Sequence, residues 1–403
     1  MDAITEEHVV DSIADALQFV ACYHPEDFIR AMTRAYEREK SPGARNAIGQ
    51  ILTNSRMCAL GRRPICQDTG VANVFFRIGC EAKLAWKRPL QEIVDEAVRR
   101  AYRLDTNPLR ASVVRDPFGE RRNTGDNAPG MVHVEMVAGD RVDVVVSAKG
   151  GGSENKTKFA VLNPSASVAD WVVETVSGLG AGWCPPGMLG IGGGGSVDKA
   201  MALAKMSLND PVDIFDLLER GPSDRAEELR LEIYDRVNAL GIGAQGLGGL
   251  TTVLDVKLRH FPTHAASLPV ALIPNCAATR HVHFTLDGSG PAAFEPPDLS
   301  LWPDIVLDNA GAAVKRIDLD ALDDATLASL APGETLLLSG TLFTGRDAAH
   351  KRMVETLDKG ESLPVDLAGR AIYYVGPVDP VRDEVVGPAG PTTATRMDKF
   401  TDM

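Results

Sequence analysis

The spacing of apolar residues changes several times along the chain, and this change most restricts the folds that the chain can adopt. Residues 8 to 61 have the three-to-four-residue spacing of amphipathic helices, and the last of these helices ends at Gly61. Residues 71 to 79 then alternate loosely, as in a strand. The residues that carry the first helical spacing are Val9, Ile13, Leu17 and Val20. Both periods in one chain predict a fold that combines helices and sheets.

Predicted helices and strands continue to follow one another to about residue 275. A helix is predicted over 89–104, and "MVHVEMVAGDRVDVVVSAKG" is typical of a β-hairpin that turns at Ala138 to Asp140. Further helices are predicted at "VADWVVETV", "SVDKAMALAKM" and "SDRAEELRLEIYDRVNALG", and further strands at "TTVLDVKL" and "LPVALI". No internal repeat is present in the sequence.

A domain boundary is predicted near residue 290. The segment "DGSGPAAFEPPDLSLWPD" is rich in proline and glycine and has no period, so residues 291–330 are predicted to be a linker. Beyond it, a strand, a glycine-bearing loop, a helix and another strand predict a smaller α/β unit over residues 331–403. Residues 1–290 then form the N-terminal domain, and a chain of 403 residues is long enough for two domains.

Composition and charge exclude several classes of partner. The chain is 44% apolar and 24% charged, as globular proteins are, and it has no apolar run long enough to span a bilayer. A formal net charge of -13 argues against nucleic acid or an anionic membrane as a partner, although a small anion needs only a local basic pocket. The acidic N-terminus "MDAITEEHVVDSIADAL" lacks the order of a signal peptide, so a cytoplasmic location is expected.

Three of the six cysteines lie in a different kind of sequence from the others. No CxxC motif is present, and most buried cysteines are simply small core residues, which is our interpretation for Cys22, Cys58 and Cys80. The other three lie in loops rich in proline and glycine: "RPICQDTG", "GWCPPGM" and "IPNCAATRH". A cysteine in such a loop can direct its sulfur into a cavity.

Two glycine runs fit the dinucleotide pattern G-x-G-x-x-G but lack its context. The run from Gly241 to Gly246 follows a helix, and its next acid, Asp255, comes too early. The run from Gly190 to Gly195 has no convincing strand before it, so we interpret it as the start of a helix that faces an anion, with Ser196 as N-cap. The segment "AKGGGSENKTKF" does not have the pattern of a P-loop. Its simplest interpretation is a solvated loop at the end of a strand.

Seven motifs, taken in order, resemble a known family. "ICQDTG", "KGGGSENK", "CPPGM", "GIGAQGLGG", "THAASLPV...NC", "TGRDAAH" and "GPAGPTTATRMD" look like the class I fumarases, iron–sulfur hydro-lyases related to L(+)-tartrate dehydratase. The resemblance covers essentially the whole chain. It implies an α+β N-terminal cluster-binding domain with mixed sheets, and a smaller α/β swivelling-type C-terminal domain that closes over the cluster.

The resemblance also implies a cofactor and a set of site residues. A [4Fe-4S] cluster would be held by three cysteines, which leaves one iron open to the substrate. Asp68 and Thr392 would be the acid/base pair, and His264 would be an active-site histidine. Each has an ordinary alternative: Thr392 as a turn residue and His264 as a core histidine. The cluster ligands would be Cys66, Cys184 and Cys276, and the substrate-binding residues would be Gln67, Arg110, Gly151, Arg346 and Arg396.

The implied reaction is the reversible loss of water from (S)-malate to give fumarate. L(+)-Tartrate dehydratase is the alternative within the class, and the joining of both domains on one chain favours fumarase by analogy. A homodimer is the family expectation. Members of the family carry a further lysine motif shortly after the "RMD" segment, and this sequence ends before it. We therefore expect an incomplete C-terminal domain and reduced activity, and the remaining alternative is an inactive fragment that assembles with an intact subunit.

Overall fold

A computed structural model describes residues 2–305, 314–331, 334, 336–389, 397 and 400. The helices are α1 Glu6–Cys22, α2 Glu26–Arg38, α3 Pro42–Gly61, α4 Leu90–Tyr102, α5 Gly151–Glu154, α6 Val168–Leu179, α7 Val197–Ser207, α8 Ile214–Arg220, α9 Arg225–Ala239, α10 Asp324–Ala328 and α11 Asp347–Asp358. The strands are β1 Ile4–Thr5, β2 Val71–Gly79, β3 Leu84–Ala85, β4 Met131–Val137, β5 Val142–Lys149, β6 Lys158–Leu162, β7 Gly187–Gly194, β8 Val253–Phe261, β9 Leu268–Asn275, β10 His281–Leu286, β11 Lys315–Asp318, β12 Leu336–Ser339, β13 Leu342–Thr344 and β14 Ala371–Tyr373.

The N-terminal helices form as their apolar spacing predicts. The side chain of Thr5 accepts a hydrogen bond from the backbone N–H of His8 at 3.2 Å, so one free donor at the start of α1 is satisfied. The four apolar residues of α1 named above are all buried to 1% exposure or less. Helix α3 ends at Gly61, and Arg62 follows in the left-handed conformation typical of a helix C-terminus. These helices and α4 pack against the first sheet.

The first sheet has the strand order β10-β5-β2-β4. The predicted hairpin of β4 and β5 is wrong, because β2 lies between them: it pairs parallel with β4 and antiparallel with β5. The turn at residues 138–141 lies beside the end of β2 and is hydrogen-bonded to it. The N–H of Gly79 donates to the carbonyl of Arg141 at 2.8 Å. Both strands were correctly located, but their partner comes from an earlier part of the chain.

The second sheet has the order β6-β9-β7-β8, with α6, α8 and α9 on one face and α7 on the other. The run from Gly190 to Gly194 belongs to its buried strand β7, so the interpretation of this run as a helix start is wrong. A Cβ on Gly192 would stand 2.0 Å from the carbonyl oxygen of Ala200, so the glycine allows α7 to lie directly on the strand. Ser196 precedes α7, but its side chain makes no cap bond; its hydroxyl bonds to Asp198 instead.

A buried ion cluster joins α8 and α9 to β8. Asp255 is fully buried and contacts Lys257 at 2.6 Å and Arg230 at 3.2 Å. Both cations also pair with Asp213, directly before α8. Burial would raise the pKa of the Asp213 carboxyl, but the bonds from Arg230 and Lys257 outweigh it and lower that pKa to about 2.

The C-terminal part consists of short elements. Strand β11, inside the predicted linker, pairs in parallel with β12, and β13 pairs with β14. This pairing favours a C-terminal unit that begins near residue 314 rather than at residue 331, and we propose that boundary. Arg63, after α3, contacts Glu384 through two nitrogens at 2.6 and 3.0 Å, and thereby connects the N-terminal part to the segment after β14.

The architecture is therefore mixed α/β with mixed sheets, as the sequence predicts. Within the residues that the structure covers, none of the helices combines the length and the apolar character that a membrane span requires.

Candidate active site

The ends of five strands meet at one place, where the two sheets adjoin. The start of β2 is paired with the end of β5, and the start of β7 with the end of β9. The segment 276–280 leaves β9 of the second sheet and enters β10 of the first. The loops that begin or end at these positions carry the three cysteines singled out from the sequence, so the topology brings all three loops to the same region.

Two of the cysteine loops are joined by a backbone hydrogen bond. The N–H of Ala277, next to Cys276, donates to the carbonyl of Cys184 at 3.1 Å. A Cβ on Gly187 would lie 1.9 Å from the carbonyl oxygen of Asn275, so the backbones of β7 and β9 approach closely here. Cys184 has φ +61°, a conformation that costs a non-glycine residue about 1–3 kcal/mol and that tends to occur at functional sites. The local fold therefore fixes where this cysteine points.

The third cysteine lies in the loop before β2. Cys66 Sγ donates to Oε1 of Gln67 at 3.4 Å, and Gln67 is 2% exposed. Burial raises the pKa of the Cys66 thiol to about 12, while the positive charge of Arg280 acts in the opposite direction. The pKa of Lys149 is lowered to about 8, chiefly by burial, and the charge of Cys276 opposes that shift. Cations thus lie beside two of the three cysteines.

The carboxylate of Asp68 is held in a fixed position by backbone donors. Oδ1 accepts from the N–H of Gly70 at 3.1 Å, and Oδ2 accepts from the N–H of Gly151 at 2.8 Å. The main-chain carbonyl of Asp68 accepts from Nη1 of Arg280 at 2.6 Å. The N–H of Gly151 donates to Asp68, so this glycine contributes to the site by holding the carboxylate in place.

The three loop cysteines have the donor atoms that an iron–sulfur cluster takes. All three are free thiols and partly exposed. Over the described ranges, no three His, Cys, Asp or Glu side chains stand close enough together to hold one metal ion. Thiolate sulfur is the usual protein ligand of iron–sulfur clusters, so the chemistry of these residues fits such a group.

Two of the predicted substrate-binding arginines converge from different parts of the chain. Arg110 Nη1 donates to the carbonyl of Gly376 at 3.1 Å, and a Cβ on Gly376 would lie 3.3 Å from Cδ of Arg346. The carbonyl of Arg110 accepts from Oγ1 of Thr69 at 2.7 Å, so this arginine is tied to the loop of Asp68. Neither guanidinium has a carboxylate within 4 Å among the residues described here. Two such cations can bind an anionic ligand.

His264 is the described site prediction that lies away from this place. Thr392 and Arg396 lie outside the described residues. His264 lies in the exposed loop between β8 and β9, where its Nδ1 accepts from the N–H of Ala266 at 3.1 Å. Cys276 follows the other end of β9, and eight residues of strand span roughly 25 Å. The structure therefore places His264 at the opposite end of the second sheet, and not in the core.

The sequence reasoning missed two buried cations, Lys149 and Arg280. Lys149 is 6% exposed and donates from Nζ to Ser153 Oγ at 2.5 Å and to the carbonyl of Pro274 at 2.8 Å. Arg280 is 3% exposed. The available signal was position: Lys149 opens the "KGGGSENK" motif, and Arg280 stands four residues after a loop cysteine.

A buried relay also supports the Cys276 loop. Burial lowers the pKa of His24 to about 3, so its imidazole is neutral, and Nε2 donates to the carbonyl of Ala277 at 3.0 Å. Its Nδ1 then accepts from the hydroxyl of Ser55 at 2.8 Å, and that oxygen accepts from Nε1 of Trp302 at 2.9 Å. Three buried side chains therefore fix the carbonyl that follows the cysteine.

Comparisons with known proteins cover nearly the whole chain. Residues 10–285 match the family described as "Fumarate hydratase (Fumerase)", and residues 288–403 match the one described as "Fumarase C-terminus". The chain is 34% identical over 279 residues to the putative L(+)-tartrate dehydratase subunit alpha of Methanocaldococcus jannaschii, a match that covers 68% of this chain and 95% of that protein.

Two fumarate hydratases of Escherichia coli match a longer part of the chain. The anaerobic class I enzyme is 31% identical over 392 residues, covering 91% of this chain and 69% of the enzyme. The aerobic class I enzyme is 32% identical over 377 residues, covering 88% of this chain and 66% of the enzyme. The chain thus spans about two thirds of the length of these two proteins.

Proposed function

The chain belongs to the class I fumarate hydratase family, and from this membership we propose that it catalyses the reversible hydration of fumarate to (S)-malate. The enzyme class, a hydro-lyase, follows from the family. The observation that supports a site most directly is the convergence of the three cysteine loops and the Asp68 loop at the junction of the two sheets.

Cys66, Cys184 and Cys276 would hold a [4Fe-4S] cluster in this proposal. When bound, the cluster supplies a Lewis-acidic iron that polarises the hydroxyl group leaving malate. The loops of Cys184 and Cys276 are joined by the backbone hydrogen bond from Ala277, and Arg280 joins the Cys66 loop to them through the carbonyl of Asp68. This preorganisation is what a site with three protein ligands requires.

The chain's own residues account for substrate binding and for one proton. Arg110 and Arg346 approach the same glycine, and together they would bind one substrate carboxylate with forked hydrogen bonds. Asp68, held in place by two backbone N–H donors, would accept or relay the proton that leaves C3 of malate. In the hydration direction the same proton returns to C3 as water adds. Thr392 and Arg396 keep their proposed roles as acid/base partner and carboxylate ligand, respectively, but no described contact bears on them.

Dehydration of L(+)-tartrate is the second candidate function. The supporting observation is the 34% identity to a protein named as a putative subunit of that dehydratase. Malate and L(+)-tartrate differ by one hydroxyl group on the carbon that loses the proton. A site built to hydrogen-bond this extra hydroxyl would reject malate strongly, whereas a site built for malate would reject tartrate only modestly.

Anaerobic reconstitution with iron and sulfide tests the proposal. We expect the full chain to take up iron and sulfide, to show the visible absorbance of a cluster, and to consume fumarate, malate or L(+)-tartrate in parallel assays. Cys66→Ser should abolish the absorbance. Cys80→Ser is the matched control, because Cys80 is exposed and follows the far end of β2. Equal absorbance in both variants would overturn the assignment of the cysteines, and turnover of tartrate alone would favour the second candidate.

The cytoplasmic location and the homodimer stay predictions from the sequence and its resemblance. Sedimentation of the reconstituted protein measures the oligomeric state directly, and a monomer would contradict the second of these predictions.

A further inference from the structure

Arg280 differs from every other deeply buried cation in the part of the chain that the structure describes. Arginine and lysine side chains occur at five positions with under 9% exposure. Four have a carboxylate within 4 Å: Arg63, Lys149, Arg230 and Lys257. Arg280, at 3% exposure, pairs with none of the described carboxylates.

The hydrogen bonds of Arg280 leave part of its guanidinium without a partner. Nη1 donates to the main-chain carbonyl of Asp68 at 2.6 Å. Nε is buried and has no hydrogen-bond partner among the described residues. A lone carbonyl offsets only part of a full positive charge, and an uncompensated ion in a protein interior costs several kcal/mol. A fold that keeps this arginine buried must therefore place negative charge near it.

The space around the guanidinium indicates where that charge lies. A Cβ on Gly150 would be 3.3 Å from Nη2 of Arg280 and 3.2 Å from Oδ2 of Asp68, so this glycine leaves a space between the guanidinium and the nearest carboxylate, which do not form an ion pair. Arg280 lies four residues after Cys276, and its Nη1 bonds to the main-chain carbonyl of Asp68, two residues after Cys66. Two of the three cysteine loops thus flank the unmatched cation.

We propose that Arg280 is the counter-charge of the group bound by Cys66, Cys184 and Cys276, and that it positions Asp68 through the main chain. The inference rests on the proposed function, since it requires that the three cysteines bind a cluster as thiolates. Three thiolates make the bound group more negative than its irons and sulfides alone. A buried guanidinium stabilises such a group, and it stabilises the reduced form more than the oxidised form because the reduced form carries one more electron.

The experiment compares Arg280→Gln, which removes the charge, with Arg280→Lys, which keeps the charge and loses the planar fork. Arg259→Gln is the matched control, because Arg259 lies in β8 of the second sheet and already pairs with Asp210. Each full-length variant is reconstituted anaerobically. The measurements are iron and sulfide per chain, the rate at which a chelator removes the cluster absorbance, and the midpoint potential in a mediated redox titration. Thermal unfolding before reconstitution reports on the fold alone.

We expect Arg280→Gln to lose affinity for the cluster by about 10- to 100-fold, as removal of groups that support metal ligands does, and to lower the midpoint potential. Arg280→Lys should keep a potential near that of the unaltered protein, and Arg259→Gln should behave as the unaltered protein in every assay. A potential and a release rate unchanged in Arg280→Gln would overturn the inference. So would equal cluster loss in both Arg280 variants together with equal losses of thermal stability, which indicates a structural role only.

The two proposals fail in different ways. If the unaltered protein takes up no iron and sulfide, the proposed function falls and this inference falls with it. If the unaltered protein takes up the cluster and Arg280→Gln holds it equally well at the same potential, only the role of Arg280 is wrong.

Discussion

The contact between Arg63 and Glu384 should determine how firmly the segment after β14 is attached to the N-terminal part. Arg63 has a side chain only 7% exposed and reaches Glu384 with two nitrogens at 2.6 and 3.0 Å. It also donates to Oδ1 of Asn107 at 2.5 Å and to the carbonyl of Asp379 at 3.3 Å. Replacement by alanine removes all four hydrogen bonds and leaves the carboxylate without its cation.

The expected magnitude follows from the burial of both partners. Removal of one member of a buried pair costs about 3–5 kcal/mol. The Glu384 side chain is 25% exposed, so water can solvate part of the remaining charge, and we expect the lower end of that range, about 3 kcal/mol. Arg30→Ala is the control, because Arg30 contacts Glu26 at 2.9 Å with side chains 56% and 50% exposed. Exposed pairs of this spacing contribute about 0.3–0.5 kcal/mol.

Amide hydrogen exchange, measured by mass spectrometry, reports how firmly the segment after β14 is held. The N–H of Val378 donates to the carbonyl of Pro388 at 2.9 Å, so peptides from residues 378–389 report whether this segment is held in place. A loss of about 3 kcal/mol corresponds to roughly a hundredfold faster exchange where local opening limits it. Arg30→Ala should leave these peptides unchanged.

A change below about threefold in Arg63→Ala would refute the reasoning, because that is about 0.7 kcal/mol, as for an exposed pair. A double variant with Glu384→Ala gives a second test. If the pair acts as one unit, the second substitution should add much less than it does alone.

Three further predictions concern the second sheet. Gly192→Ala should lower the free energy of unfolding, measured by urea titration, by about 1–3 kcal/mol, because the new Cβ would lie 2.0 Å from the carbonyl oxygen of Ala200. Gly193→Ala is the control: its Cβ would enter open space, so the free energy of unfolding should change little. Asp255→Asn should cost about 3–5 kcal/mol in that assay because it leaves two buried cations with less negative charge, and a loss under 1 kcal/mol would contradict this. The pKa of Asp213 is lowered from 3.8 to about 2, so the stability it contributes is complete above about pH 4 and is lost as the pH falls toward 2. Its replacement by asparagine should therefore reduce the loss of stability between pH 4 and pH 2, and an unchanged pH profile would contradict that assignment.

The spacing of apolar residues predicted a helix or strand well where a single apolar face of that element packs against the core. The apolar residues of α1 repeat at helical spacing, and the structure buries all of them, since a stripe of this kind has only one way to pack. Strand β2 was also located from the sequence, although nearly all of its residues are buried and only Arg77 is exposed. These signals lie within a few neighbouring residues, so the sequence alone reveals them.

Predictions failed where a distant segment decides the outcome. The pattern of β4 and β5 is that of a hairpin, but pairing is a property of whole sheets, and β2 competes for both strands. The run from Gly190 to Gly194 resembles a phosphate-binding turn until α7 is placed on it, after which the missing side chains serve packing. Neither competitor is visible within the segment itself.

The residues of the candidate site also fall into those that the sequence reveals and those that it does not. Cysteines in loops rich in proline and glycine could be selected from the sequence because breakers mark loops, and the topology brings those three loops together. Arg280 could not be selected, because an arginine in a sequence is usually a surface charge and only its burial makes it unusual. The separation of His264 from Cys276 could have been found from the sequence, because the predicted strand "LPVALI" lies between them and a strand is extended.

The insertion of β2 between β4 and β5 has a consequence for how the protein reaches its native state. The turn at 138–141 is short, so an isolated β4–β5 hairpin can close within microseconds, whereas β2 must return across more than fifty intervening residues. The fast pairing is the wrong one, and it must open before β2 can enter. We infer that this sheet passes through a kinetic trap during refolding. Substitutions that weaken an isolated β4–β5 hairpin should therefore speed refolding, and an unchanged rate would show that the hairpin does not limit it.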